Sequence, residues 1–129
     1  MRVAVDTNSI SEFFKGNSSI SQLFENTEQI YVPYIVLAEL YAGFRFGSHE
    51  EKNRKQLDAL FDTFSIEILF PDSSTIEYYA SIYSQLRREG KPIPTNDIWI
   101  AAISLQHDLT LFTFDGHFGN VDGLSVTTK

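Results

Sequence analysis

Short apolar runs alternate with helical patterning along the whole chain, and that alternation leaves few architectures open. Residues 3–5, 29–32, 66–70 and 109–113 read as strands, with 124–127 a marginal last one. Ser9-Ile10-Ser11-Glu12 has the form of a capping box opening a short helix that Gly16 ends, and residues 20–25 suit a second. Pro33 punctuates the chain before a third helix that contains Tyr34-Ile35-Val36-Leu37-Ala38-Glu39-Leu40-Tyr41-Ala42. Gly47 and Ser48 separate it from a polar helix around residues 50–64. Ser74 and Glu77 form another capping box, followed by Tyr79, Ile82, Tyr83 and Leu86 at helical spacing and by Gly90 as a stop. After the stiff connector Lys91-Pro92-Ile93-Pro94, a helix from Thr95 is apolar nearly all round and is expected to be buried. Such alternation implies an α/β fold in three layers, with a mostly parallel central sheet of four to five strands covered on both faces. Ligands of such sheets bind beyond the carboxyl ends of strands, near the point where strand order reverses.

Four carboxylates stand out against this pattern. Asp6 and Asp115 each follow a strand-like run, Glu39 sits inside an apolar helix, and Asp97 opens the run Ile98-Trp99-Ile100-Ala101-Ala102-Ile103. Acids in such places cost stability unless a cation accompanies them, and no Lys or Arg is adjacent in sequence to any of the four. Each alone admits a bland reading. Asp6 suits a helix N-cap, Asp97 a helix's first turn, and Asp115 before Gly116 a turn. Glu39, with apolar neighbours on both sides, has no such local role. As a set they offer hard oxygen ligands on several rigid elements. That suits Mg²⁺ or Mn²⁺, which keeps waters and leaves positions open for phosphate oxygens.

Composition limits the alternatives. The 129 residues are expected to form one domain, 1–129, large enough for a proper core. With no cysteine, disulfides and thiolate metal sites are excluded, which fits a cytoplasmic location. The opening residues turn acidic too soon for a signal peptide, and no stretch has the apolar length of a membrane span. A formal charge of −7 taken alone argues against nucleic-acid binding. Basic residues are nevertheless grouped, with Arg45, Lys52, Arg54 and Lys55 in one segment and Arg87, Arg88 and Lys91 in another. His49, His107 and His117 lack zinc spacing and read as surface or loop residues. Trp99 and the Phe and Tyr residues read as core or interface.

Taken in order, Val5-Asp6-Thr7-Asn8, Ala38-Glu39-Leu40-Tyr41-Ala42-Gly43, Asn96-Asp97-Ile98-Trp99-Ile100-Ala101-Ala102 and Thr113-Phe114-Asp115-Gly116-His117-Phe118 resemble the PIN-domain ribonucleases, and among them the VapC-type toxins of toxin–antitoxin pairs. The resemblance covers essentially the whole chain. It implies an endoribonuclease with Asp6, Glu39, Asp97 and Asp115 as catalytic and metal-binding residues, and at least one Mg²⁺ for which Mn²⁺ substitutes. It further implies that Thr7 or Asn8 supports Asp6, that Asn96 and Thr113 support the others, and that the partners are RNA, a cognate antitoxin and a second copy of the chain. Arg45, Lys52, Arg54, Arg87, Arg88 and Lys91 are the pool for substrate contacts. Some family members carry a further acid near Phe118, where this chain has His117 and Gly119. A non-catalytic interaction module on the same scaffold is the rival reading, against which the complete quartet speaks. A receiver domain fits less well, since only Asp6 follows the first strand and no lysine lies between Lys91 and Lys129.

Overall fold

Val3, Ala4 and Val5 are all completely buried, so the first strand must be covered on both faces, and it lies at the centre of the sheet. In the computed structural model, which describes residues 2–128, five strands form one parallel sheet. They are β1 (Val3–Val5), β2 (Ile30–Pro33), β3 (Ile66–Leu69), β4 (Thr110–Phe112) and β5 (Val126–Thr127), in spatial order β3-β2-β1-β4-β5. The helices are α1 (Thr7–Phe14), α2 (Ser18–Asn26), α3 (Tyr34–Phe46), α4 (Glu50–Thr63), α5 (Ser73–Arg88) and α6 (Thr95–Gln106). A short 3-10 helix, Gly116–Asn120, joins β4 to β5. Strand order reverses at β1, which pairs with β2 on one side and with β4 on the other. The expected α/β architecture is therefore present, with all five strands parallel.

Two expected helix starts move. Helix α1 begins before Ser9, because Asp6 accepts the Ser9 amide as N-cap, while Glu12 pairs instead with Lys15 at 3.3 Å. Helix α5 is capped by Asp72 in a box with Thr75, not by Ser74 with Glu77. In both places an Asp lying earlier in the chain takes the cap, which its short carboxylate can do at least as well as a serine hydroxyl. Asp72 Oδ1 also accepts Gln106 Nε2 at 2.8 Å, tying the start of α5 to the end of α6.

Helix α6 is buried as expected through Ile98 and from Ile100 to Ser104. Helix α3, though equally apolar in composition, is buried much less. Only Val36 and Leu40 are buried, whereas Tyr34, Tyr41 and Phe46 are exposed. Tyr79 packs on Trp99 with tilted rings, centroids 4.5 Å apart, between α5 and α6, a core-margin role of the kind expected. Among the described residues no helix is long and apolar enough to cross a membrane. Replacing the fully buried Ile103 with Ala should cost about 2–5 kcal/mol through lost contacts and a residual cavity. Phe46→Ala, at 96% exposure, should stay within about 0.5 kcal/mol of wild type. Urea unfolding of both variants measures the contrast.

Candidate active site

The register of the sheet assembles the site. Val5 lies opposite Phe112, so the next residue on each chain, Asp6 and Thr113, leaves the carboxyl end of the sheet side by side. Thr113 Oγ1 donates to Asp6 Oδ2 at 2.5 Å and accepts the Asp115 backbone N–H at 3.0 Å. One hydroxyl thus links the acids that follow β1 and β4. Asp6 Oδ1 accepts the Ser9 amide at 3.0 Å and the Ser9 hydroxyl at 2.6 Å. Asp6 is only 4% exposed, and every partner on its carboxylate is neutral.

Glu39 enters from α3, half-buried, and both of its oxygens are held. Thr7 Oγ1 donates to Oε1 at 2.5 Å, and Asn96 Nδ2 donates to Oε2 at 3.3 Å. Each donor neighbours another acid of the set in sequence, Thr7 beside Asp6 and Asn96 beside Asp97. Thr7 therefore braces Glu39, not Asp6 as the resemblance implied, and Asp6 is braced by Thr113 and Ser9. Asn8 is exposed at the rim. Asp115 caps the 3-10 helix by accepting the His117 amide at 2.9 Å. The bland reading of Asp6 as a cap is thus correct as local structure, Asp115, read as a turn residue, caps the 3-10 helix, and both roles coexist with their convergence.

Asp6, Thr7, Asn8, Glu39, Asp97 and Asp115 together line a cavity of about 90 Å³. Among the described residues no Lys or Arg lines it. Asp97, third residue of α6, has no hydrogen-bond or ion-pair partner for its side chain among the described residues. Burial, then the negative charges of Glu39, Asp115 and Asp6, pushes its carboxyl from 3.8 up to about 6, with His117 acting the other way. A helix N-terminus favours an anion by about 0.3–1 kcal/mol, and here burial and repulsion outweigh it. Among the described residues no three acidic or imidazole groups are gathered closely enough to enclose an ion unaided. A hard cation that retains several waters does not require that. An all-oxygen donor set with no organic cation in its cavity fits such an ion.

The basic residues lie elsewhere. Arg45 and Arg54 share Glu50, at 3.4 and 3.1 Å, and Arg54 stacks over Tyr41. Lys52 lies with His49, Glu51 and Lys55 along a broad depression at the start of α4. Arg87 stacks over Tyr83 at 4.9 Å, and Arg88 and Lys91 are exposed. Two residues at the site were not singled out from sequence. Ser9 was assigned to a cap of its own, although its spacing of three from Asp6 is that of a cap's amide partner. His117 reads as a surface residue and is 69% exposed, yet its spacing of two from Asp115 is that of a local side-chain turn.

Comparison with known proteins places this geometry in a lineage. The family model described as PIN domain matches residues 3–124. Ribonuclease VapC1 of Haemophilus influenzae is 31% identical over 115 residues, 84% of this chain and 83% of that protein. Ribonuclease VapC1 of Rickettsia felis is 31% identical over 130 residues, 99% of this chain and 96% of that one. The fold superposes with a TM-score of 0.89 on a chain of VapBC2 from Rickettsia felis, crystallised with a DNA fragment from its promoter, at 26% identity and 98% coverage of both chains. The chain belongs to the PIN domain family.

Proposed function

We infer that this protein is a cytoplasmic endoribonuclease, the toxin of a toxin–antitoxin pair, and that it hydrolyses RNA phosphodiester bonds. The observation that carries the reading is the convergence of Asp6, Glu39, Asp97 and Asp115 on one cavity that, among the described residues, no Lys or Arg lines. Likeness to the VapC ribonucleases and to a VapBC assembly supports the substrate class and the antitoxin partner. Those four carboxylates would hold Mg²⁺, with Mn²⁺ substituting. A divalent ion bound there supplies Lewis-acid polarisation of the phosphate and eases ionisation of a water. The chain's own part is preorganisation. Ser9, Thr113, Thr7 and Asn96 keep Asp6 and Glu39 from swinging apart under mutual repulsion. Phosphate contacts would come from the exposed cations, Lys52, Arg87, Arg88 and Lys91 first, because Glu50 already occupies Arg45 and Arg54. Exposed Tyr34, Tyr41, Phe46 and Phe70 are the kind of surface that a protein partner covers, and we assign the antitoxin and a homodimeric second copy to that role.

Asp97→Asn is the cleanest test of the site, since the lost charge has no internal partner to strand. Mg²⁺- or Mn²⁺-dependent RNA cleavage should fall at least about 100-fold, a loss of some 2.7 kcal/mol in transition-state stabilisation. Asp6→Asn should be as inactive. It should also be somewhat less stable, because it disturbs the Ser9 and Thr113 bonds. Wild-type cleavage rates in purified Asp97→Asn would sink the assignment and favour the non-catalytic module.

Electrostatics gives a second test, with a definite sign. Asp97 titrates higher in the folded chain, about 6 against 3.8, so its charging penalises folding. The penalty is absent below pH 3.8, grows between there and about 6, and is complete above. A displacement of that size would be worth about 3 kcal/mol at full strength. On a half-buried carboxyl, solvent screening leaves on the order of 1 kcal/mol. Metal-free Asp97→Asn should therefore melt a few degrees above wild type at pH 7.5, with the gap closing by pH 4. Added Mg²⁺ should raise the wild type more than the variant. Melting curves across pH, with and without metal, read both signs.

The third test concerns the exposed cations. If Arg87, Arg88 and Lys91 each contact a phosphate, replacing all three with Gln should flatten the salt dependence of RNA binding by about 2 units of log–log slope. Binding titrations from low to high salt measure it, and an unchanged slope returns these residues to ordinary surface.

A further inference from the structure

Asp115 is the one acid at the cavity whose carboxylate is gripped by a ring. His117 Nδ1 lies 2.8 Å from Asp115 Oδ1, and the His117 backbone N–H donates to the same oxygen at 2.9 Å. We propose that His117 is a positioning residue, whose imidazole holds Asp115 so that Oδ1 is fully occupied and Oδ2 is the oxygen offered to a metal ion. This rests on the metal-dependent reading given above.

Three observations carry it. The Thr113 hydroxyl takes the Asp115 backbone N–H and so steadies the main chain, but it leaves the carboxylate free to turn. The backbone N–H of His117 alone constrains one oxygen without fixing the plane of the group. A second contact on that oxygen supplies the missing restraint, and the imidazole Nδ1, 2.8 Å away, makes it. Next, the His117 side chain is 69% exposed and has no other hydrogen bond, ion pair or ring contact among the described residues. Folding therefore does not depend on the ring. Last, Asp6 and Glu39 each have dedicated hydroxyl or amide donors on the carboxylate, and among the described residues His117 is the only side chain in polar contact with that of Asp115. Groups that orient a metal-binding side chain commonly contribute about 10-fold or more to metal affinity.

The test is Mn²⁺ binding by the metal-free protein, read from the paramagnetic resonance signal of the free ion. Wild type, His117→Leu, His117→Asn, Asp115→Asn and the double variant His117→Leu/Asp115→Asn are compared. Leucine removes the donor, whereas the asparagine side-chain N–H₂ stands near the position of Nδ1. His117→Leu should weaken Mn²⁺ binding about 10-fold, and His117→Asn should remain near wild type. In the Asp115→Asn background the leucine change should add nothing, since its effect runs through that carboxylate. Metal-free melting temperatures of the His117 variants should match wild type, and RNA cleavage by His117→Leu should lose kcat with little change in KM. Equal Mn²⁺ affinity in wild type and His117→Leu overturns the role of His117 and leaves the metal site standing. So does a loss that asparagine fails to rescue, or one that persists in the Asp115→Asn background. A wild type that binds no Mn²⁺ at millimolar concentration overturns the metal-dependent reading and the role of His117 with it.

Discussion

Like charges confined in a small volume are the constraint around which this end of the molecule is built. Four carboxylates share a cavity of about 90 Å³, and nothing in its lining neutralises them. Three are restrained by uncharged donors, namely hydroxyls, a side-chain amide and backbone N–H groups, and the His117 ring stands 2.8 Å from Asp115. Had a lysine or arginine filled the cavity, the fold would be relieved and the space lost to a metal ion. Restraint without neutralisation keeps the negative potential available to a ligand. Its cost shows on Asp97, the acid with no partner, whose carboxyl is raised to about 6.

The restraints also divide the carboxylate oxygens unevenly. A carboxylate offers roughly four lone-pair positions. Ser9 fills both on Asp6 Oδ1 and Thr113 takes one on Oδ2, so Asp6 retains about one. Glu39 has one bond on each oxygen, and Asp97 keeps all of its acceptor capacity. Asp6 is thus the most rigid member and Asp97 the most open, a graded arrangement suited to an ion that keeps part of its water shell.

Parallel topology is what brings these residues together. Strands β1 and β4 run side by side in the same direction, so the residues following each emerge at the same end. The crossovers between them bring in α3 with Glu39 and α6 with Asp97. The far ends of the scaffold are locked by other polar contacts. Asp72 ties α5 to Gln106 of α6, and buried Gln85 holds the Asn120 carbonyl at the end of the 3-10 helix and the Asp122 amide just after it. Distant side chains thereby steady the two elements that present Asp97 and Asp115.

Much of this was legible in the sequence. Apolar runs of strand length, Gly and Pro punctuation and the apolar run after Asp97 were enough for an α/β fold, because hydrophobic period and turn chemistry are local properties. The four acids were legible as misfits in apolar surroundings. Element starts were less so: at Asp6 and Asp72 two polar residues competed for one cap, and the choice depends on backbone angles that composition does not encode. The exposure of α3 was invisible for a related reason, since an apolar helix reads the same whether it meets the core or a surface awaiting a partner. By itself, then, the sequence determined which segments become strands and helices and that four carboxylates stand out against them, three near element ends and Glu39 within a helix. Only the tertiary structure decided which donor serves which acid, Thr7 to Glu39, Thr113 to Asp6 and His117 to Asp115. The first two join residues distant in the chain and so depend on strand register and helix placement, which the packing of the whole core settles; the third is local and depends on the backbone turn of the 3-10 helix.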